Sequence, residues 1–130
     1  MRESWPSAKA MAEARRKQAE TAGRRAETLA AWWLRLKGWR ILAKRVRTPL
    51  GEVDLVARRG RMVAFVEVKH RATAQELDQA IDHHRLRRVA AAAEALMPRF
   101  VRAHDDARID VILLAPGRLP RHLTHVWQGD

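Results

Sequence analysis

Two apolar segments flank an Arg-Gly-Arg sequence near the middle of the chain. Residues 51–58 and 62–69 are rich in β-branched and apolar side chains, and a glycine between two arginines is typical of a tight turn. Together they predict a β-hairpin. If the glycine and the second arginine form a two-residue turn, Arg59 lies opposite Met62, and this fixes the register of the strands.

The predicted register decides which side chains share a face of the hairpin, because side chains alternate between faces with a period of two. One face is apolar near the turn and charged at the open end, and it carries Glu52, Asp54, Val56, Phe65, Glu67 and Lys69. The other face is wholly apolar and carries Val53, Leu55, Ala57, Met62, Ala64, Val66 and Val68. A sheet that is apolar on both sides is covered on both sides, so we expect the charged cluster to be partly buried.

A helix and a strand are predicted before the hairpin. From Thr21, apolar residues recur at intervals of three and four as far as Leu34, and Gly38 stands where a C-terminal helix cap belongs. The segment Trp39–Arg47 alternates apolar and basic residues, as a half-buried strand does. Pro49 is expected to end this strand.

One long helix and two strands are predicted after the hairpin. The sequence Thr73-x-x-Glu76 resembles a capping box, an apolar stripe continues to Leu96, and Pro98 is expected to stop the helix. The nearly continuous apolar segment Arg108–Leu114 predicts a central strand, and Leu123–Trp127 a short edge strand. This order of elements predicts an α/β fold with a mixed central sheet and helices on both faces.

Length and composition fit one domain with a basic extension. We expect residues 21–130 to form a single core, and residues 1–20 to be a basic arm that is either disordered or helical on contact with a polyanion. The absence of cysteine excludes disulfides and thiolate metal sites. No segment resembles a signal peptide or a membrane span, so we expect a cytoplasmic protein without a membrane partner.

The formal net charge of +11 is concentrated towards the N-terminus. Residues 1–47 hold 13 Lys and Arg against 4 Asp and Glu, a net charge of +9, whereas the remainder has a net charge of +2. Such a charge distribution favours a polyanionic partner. Nucleic acid is the first candidate, and ribosomal RNA or an anionic membrane surface would account for the same bias.

The charged end of the hairpin is the candidate site for chemistry. Carboxylates placed across a strand ladder repel one another, and their burial is unfavourable unless a cation neutralises them. Mg²⁺ or Mn²⁺ would do so through Asp54 and Glu67, filling its other positions with waters and phosphate oxygens. Lys69 would then bind phosphate or assist the attacking water, as in metal-assisted phosphodiester hydrolysis. The alternative is a lattice of cross-strand ion pairs on a solvated face.

Asp54, followed after a hairpin by Glu67-Val68-Lys69, resembles the PD-(D/E)xK nuclease signature. More specifically, Gly51–Ala57 and Phe65–Arg71 resemble the YraN-like family (UPF0102) of predicted endonucleases, relatives of archaeal Holliday-junction resolvases. The resemblance extends from about Gly23 to Val111, which is most of the chain.

The resemblance implies a metal-dependent endonuclease with a restriction-endonuclease-like fold. Its metal ligands would be Asp54, Glu67, the carbonyl of Val68, and Glu27 directly or through water. Without this comparison, Glu27 is interpreted as a surface glutamate that pairs with Arg24 or with an exposed neighbour. Lys69 would position the water, with Glu52 in a supporting role. Branched or junction DNA as the substrate and a two-fold dimer are implied by analogy with the resolvases.

Six basic residues are candidates for contact with DNA phosphates: Arg24, Lys44, Arg45, Arg47, Arg71 and Arg85. The three on the strand before the hairpin are equally well explained as edge-strand charges that discourage aggregation. Arg85 stands where the family carries a lysine. It clusters with Arg87 and Arg88, and these three could contact phosphate, but a charged outer helix face explains them equally well.

The histidine pairs His83-His84 and His122-x-x-His125 are not expected to bind metal. Neither has a third or fourth ligand at zinc-like spacing, and a carboxylate site prefers a hard ion. Gln79, on the first turns after the lysine motif, is given no role in the site.

The sequence favours two functions, and a third, a basic assembly factor on ribosomal RNA or a membrane, would account for the same charge. The first is a metal-dependent nuclease acting on DNA. The second is a non-catalytic nucleic-acid-binding module of the same fold that acts through a partner. Charge does not separate them, because both need a basic surface.

Overall fold

The computed structural model describes residues 4–78 and 80–129. Its helices and strands are, in chain order, α1 (Ala8–Leu36), β1 (Arg40–Thr48), β2 (Gly51–Arg59), β3 (Met62–His70), α2 (Ala74–Asp78), α3 (His83–Phe100), β4 (Asp106–Leu114) and β5 (Arg121–Leu123). Within these residues, no helix combines the length and the apolar character that crossing a membrane requires.

A five-stranded mixed sheet in the order β1-β2-β3-β4-β5 forms the centre of the fold. The first three strands are antiparallel neighbours, β3 and β4 are parallel, and β5 pairs antiparallel with β4. A parallel pair needs a crossover, which α2 and α3 supply. Helix α1 packs on one face and α3 on the other. The predicted α/β architecture is confirmed, and it is consistent with a restriction-endonuclease-like fold.

The predicted register of the central hairpin is confirmed. Arg59 pairs with Met62, and Val56 pairs with Phe65. Val56 and Phe65 pack into the core beneath α3, whereas most of the predicted apolar face packs beneath α1. The turn residue Gly60 has a φ of 62°, a conformation that glycine adopts without strain.

Val53 does not lie on the predicted face. It packs with Val46 in the core beneath α3, whereas its neighbour Leu55 packs beneath α1. In β1, Arg45 lies between the residues that pair with Leu55 and Val53, and its φ of 51° is left-handed. A left-handed residue interrupts the regular pleat, so strict alternation fails at this point of the β1–β2 pair.

Helix α1 begins earlier than predicted. Its first residue is Ala8, and the side chain of Ser7 caps its first turn. Residues 8–22 are exposed on every face. Because this part of the helix packs on nothing in the domain, it has no apolar stripe, and the sequence pattern indicated a helix only from Thr21. The C-terminal glycine was predicted correctly, since Gly38 follows the helix with a φ of 90°.

The single helix predicted after the hairpin is two helices. The N–H of Glu76 donates to Oγ1 of Thr73 at 3.2 Å, which opens α2 as predicted. A second helix starts after Asp82, whose carboxylate accepts a hydrogen bond from the N–H of His84. Pro98 was expected to stop the helix, but it lies inside the last turn of α3. The helix ends at Phe100, two residues after Pro98, so the proline marks the last turn of the helix and not its final residue.

The edge strand lies earlier in the chain than predicted, since β5 spans Arg121–Leu123 and shares only Leu123 with the predicted segment Leu123–Trp127. It ends at Leu123, and the N–H of His125 donates to the side chain of Asp110 at 3.0 Å instead of continuing a ladder. His125 has a φ of 53°, which interrupts the extended backbone, and the N–H of the next residue, Val126, donates to the carbonyl of Ile109 on β4 at 2.8 Å.

Candidate active site

The central hairpin forks at its charged end. Backbone pairing between β2 and β3 extends from the turn as far as Leu55 and Val66. Beyond these residues, Oδ2 of Asp54 accepts a hydrogen bond from the N–H of Val68 at 2.8 Å. A side-chain carboxylate therefore bridges the two strands where a regular ladder would have a backbone carbonyl.

A cavity of about 250 Å³ lies at the mouth of this fork. It is bounded by β2, β3 and the first turns of α3, and its lining residues are Gly51, Glu52, Asp54, Glu67, Arg85, Arg88 and Val89. The three carboxylates of the hairpin thus line one space, together with two arginines of α3. Asp54 and Glu67 face it from neighbouring strands.

Asp54 has a strongly perturbed carboxyl group. Its burial and the nearby charge of Glu67 raise its pKa from 3.8 to about 7, although the hydrogen bond from Val68 opposes the rise. The charge of Glu27 on α1 contributes in the same direction as Glu67. The ionised form of Asp54 is therefore disfavoured, first by burial and then by the neighbouring carboxylates.

One carboxylate oxygen of Glu67 forms ion pairs with two basic side chains. This oxygen, Oε1, is 3.1 Å from Nζ of Lys69 and 2.8 Å from Nε of Arg85. The Lys69 side chain is 8% exposed and that of Glu67 is 3% exposed, whereas Arg85 is 59% exposed. Burial lowers the pKa of Lys69, and the Glu67 carboxylate partly offsets this effect. Lys69 is thus a fixed internal ammonium, and Arg85 reaches the same carboxylate from solvent.

Glu27 and Glu52 are each paired with an arginine of β1. Nε of Arg45 donates to Oε1 of Glu27, and this ion pair joins α1 to β1. Extended from Arg59 and Met62 to the open end of the hairpin, the predicted register places Glu52 opposite Lys69. In the structure Glu52 pairs across the β1–β2 ladder with Arg47, whose Nε lies 3.9 Å from Oε2 of Glu52. The ion pair of Lys69 is with Glu67, two residues earlier on its own strand, because β2 and β3 diverge before Glu52.

The predicted phosphate contacts divide into two groups. Arg45 and Arg85 lie at the site through their ion pairs with Glu27 and Glu67. Arg47 pairs with Glu52, which lines the cavity, although its own side chain is 84% exposed. The remaining three do not line the cavity, and they are Arg24, Lys44 and Arg71. Of these, Arg71 lines a separate groove beside α1 and donates to the carbonyl of His70 at 2.7 Å.

The carboxylates fit a hard divalent cation only in part. Asp54 and Glu67 supply two carboxylates in one cavity, and Mg²⁺ commonly takes one or two and keeps several waters. Across residues 4–78 and 80–129, no three His, Cys, Asp or Glu side chains are grouped closely enough to hold a metal. Glu27 as a direct ligand is therefore not part of a preformed set. The donor chemistry fits an ion bound by two protein carboxylates.

Two residues that line the cavity were not among the candidate site residues chosen from the sequence. Arg88 belongs to the predicted arginine cluster of the helix, and it follows Arg85 by three residues, a spacing that places both on one helix face. Gly51 lets α3 approach, because a Cβ there would lie 3.0 Å from the carbonyl oxygen of Arg88. The helical spacing could have found Arg88. The close approach at Gly51 depends on packing between distant segments.

The histidine pairs have other contacts. Nε2 of His122 lies 2.7 Å from Oδ2 of Asp110, which is fully buried and also accepts from Nε of Arg108 at 2.9 Å. The ring of His83 packs on Trp127. These contacts join β4, β5 and α3 away from the carboxylate cavity. Gln79 lies outside the described residues.

Comparison with known proteins gives a consistent family match. The family model described as "Uncharacterised protein family UPF0102" matches residues 26–114. A UPF0102 protein of Sphingopyxis alaskensis is 72% identical over 113 residues, covering 87% of this chain and 97% of the relative. UPF0102 proteins of Erythrobacter litoralis and Rhizorhabdus wittichii are 61% and 62% identical, covering 88% and 89% of this chain and 98% of each relative. The matched region contains the forked hairpin and its carboxylates, and the chain belongs to the UPF0102 family, as its motifs predicted.

Proposed function

We propose that this protein is a metal-dependent nuclease that hydrolyses phosphodiester bonds in DNA. The observation that carries the proposal is the pair Asp54 and Glu67, which face one cavity with the buried ammonium of Lys69 3.1 Å from Glu67. Buried ionisable clusters are weak sources of stability, and they are frequent at catalytic sites. An arrangement of this kind is better explained by chemistry than by packing.

Asp54 and Glu67 would hold Mg²⁺ or Mn²⁺, with the carbonyl of Val68 as a third ligand and Glu27 acting through water. A divalent cation supplies Lewis-acid stabilisation of the charge that develops on the phosphoryl group. The raised pKa of Asp54 supports this assignment, because a cation would offset the burial of the Asp54 charge and the repulsion from Glu67, the two largest causes of the rise.

The ammonium group of Lys69 would lie close to the reacting phosphate and act as a hydrogen-bond donor. Its buried stem and its ion pair with Glu67 fix Nζ, so that little reorganisation is needed when charge develops on the substrate. In this role Lys69 donates a hydrogen bond to the scissile phosphate or to the water that attacks it. Glu67 therefore has two tasks, since the same side chain binds the cation and orients Lys69.

The substrate is proposed to be DNA held by its phosphates. Arg85 and Arg88 border the cavity from α3, and α1 extends a basic segment beyond the domain. Such contacts predict binding that depends strongly on salt and little on sequence. A preference for branched or junction DNA, and a two-fold dimer, are proposed by analogy with the resolvases.

A non-catalytic nucleic-acid-binding module is the second candidate. The observation that favours it is the double ion pair on Glu67, which Lys69 and Arg85 balance without a metal. In that case the cavity would have no catalytic role, and the basic surface would bind the nucleic acid.

The two candidates are separated by comparing Mn²⁺ binding and DNA cleavage in wild type and Asp54→Ala. Mn²⁺ is titrated by calorimetry, and cleavage is followed on linear, flapped and four-way DNA. If the nuclease proposal is right, the substitution abolishes Mn²⁺ binding and cuts cleavage by about 100-fold or more, with DNA binding unchanged.

Asp106→Ala is the matched control, since Asp106 is exposed at the start of β4 and outside the cavity. It should behave as wild type in all three assays. Equal weak cleavage by wild type and Asp54→Ala would instead support the non-catalytic module, with a contaminating nuclease as the source.

A further inference from the structure

An apolar groove of about 660 Å³ lies on the opposite side of the sheet from α3. One wall is the outer face of α1, and the other is the segment that joins β4 to β5. The side chains that set its character are Leu29, Trp32, Leu36, Leu114, Leu119 and Pro120. It is separate from the carboxylate cavity and takes no part in the proposed hydrolysis.

The groove leaves large apolar side chains in water. Leu29 is 60% exposed, Trp32 58%, Leu36 79% and Leu119 76%. The three on α1 recur at intervals of three and four residues, whereas a different stripe of α1 is buried against the sheet. Helix α1 is therefore apolar on two faces, and only one of them serves the core. A second apolar stripe of this kind is typical of a binding surface.

The charged residues around the groove indicate what kind of ligand it binds. The ionisable residues that line it are Arg25, Arg71, Arg118 and His70, and no acidic residue of the described chain joins them. A second copy of this chain would bring the same arginines face to face. Nucleic acid interfaces are more polar than a groove walled by leucine, tryptophan and proline. A ligand with acidic residues around an apolar stripe is complementary to the groove, because its apolar residues contact the apolar walls and its carboxylates pair with the arginines at the rim.

We propose that this groove binds an acidic amphipathic helix of a partner protein. Apolar residues at helical spacing on the partner would fill the space between Leu29, Trp32 and Leu119, as helices do in hydrophobic grooves. Its carboxylates would pair with Arg25 and Arg118 at the rim. The groove wall at residues 70–72 directly follows Lys69, so the bound partner would lie beside the strand end that carries the candidate active site.

The test uses three fluorescein-labelled helical peptides that share one stripe of Leu and Phe and differ in their other positions. These positions are Glu in the first peptide, Gln in the second and Lys in the third. Fluorescence anisotropy with the full chain should show binding of the acidic peptide, at least about ten-fold weaker binding of the neutral one, and none of the basic one. Hydrogen exchange should slow at residues 29–36 and 114–120 when the acidic peptide is bound.

Leu29→Glu and Arg118→Glu should each weaken binding of the acidic peptide by about ten-fold or more. Leu50→Glu is the matched control, because Leu50 is 57% exposed and lies in the β1–β2 turn outside the groove. All three positions are on the surface, and circular dichroism checks that each variant folds. Arg118→Glu should also reduce the difference between the acidic and neutral peptides.

Three results would overturn the proposal. The first is no binding of the acidic peptide at millimolar concentration, or binding that Leu29→Glu leaves intact. The second is a wild-type dimer in sedimentation that Leu29→Glu dissociates, which would assign the groove to a second copy. The third is single-stranded DNA that displaces the acidic peptide and loses affinity in Leu29→Glu but not in Leu50→Glu, which would assign it to nucleic acid.

Discussion

Replacing Asp54 with asparagine should make the metal-free protein more stable at neutral and alkaline pH. In the folded protein the pKa of Asp54 is raised to about 7, mainly by burial and then by Glu67. The unfolded chain has the ordinary value of 3.8. The folded state therefore binds more protons than the unfolded state between these two values, and stability falls as the pH rises through them. An asparagine side chain at this position carries no charge to bury.

The size of the effect follows from the pKa. Each tenfold change in proton affinity corresponds to about 1.4 kcal/mol, so a rise from 3.8 to about 7 destabilises the ionised protein by up to about 4 kcal/mol. The asparagine oxygen can still accept the hydrogen bond from the N–H of Val68. We expect Asp54→Asn to gain about 2 to 4 kcal/mol at pH 8, and the gain to shrink steadily between pH 7 and pH 4.

The measurement is urea unfolding in EDTA at pH 4, 5, 6, 7 and 8, followed by the fluorescence of the five tryptophans. Asp105→Asn is a control with the opposite sign. Arg58 and the N–H of Arg102 lower the pKa of Asp105 to about 2, so this carboxylate stabilises the protein above pH 4 and its loss should destabilise it there. The reasoning is refuted if Asp54→Asn is no more stable than wild type at pH 8, or if its gain does not vary with pH.

Two further substitutions test packing and buried polar contacts. Gly51→Ala should destabilise the protein by about 1 to 3 kcal/mol in the same urea assay, because a Cβ would lie 3.0 Å from the carbonyl oxygen of Arg88; an unchanged midpoint would show that α3 is free to move away. Asp110→Ala should lower stability by about 3 to 5 kcal/mol, because this fully buried carboxylate accepts from Arg108 and contacts His122. A loss below about 1 kcal/mol in Asp110→Ala would show that the cluster adds little.

The sequence determined the central hairpin and its register. The apolar pattern on both sides of Gly60 and the turn rule were sufficient, because period-two alternation and a two-residue turn leave one pairing. The sequence also determined the fold class, since the order of strongly patterned elements leaves few ways to cover both faces of a sheet. The family motifs could be recognised in the sequence because they lie within this hairpin.

The apolar periodicity of the sequence did not predict three features of the fold. Helix α1 was predicted only from Thr21, since its exposed first half has no packing partner to impose a stripe. The break between α2 and α3 depends on a local cap at Asp82 that the apolar periodicity did not show. The displacement of Val53 depends on the left-handed conformation of Arg45 on the neighbouring strand.

The candidate active site was also predicted only in part from the sequence. Sequence reasoning chose Asp54, Glu67 and Lys69, because their spacing along two paired strands places them at one end of the hairpin. Only the tertiary structure decided that the strands fork there, since the carboxylate of Asp54 replaces a backbone partner of Val68. The partners of each charge, and the apolar groove beside α1, depend on packing between segments far apart in the chain, and no local pattern encodes those contacts.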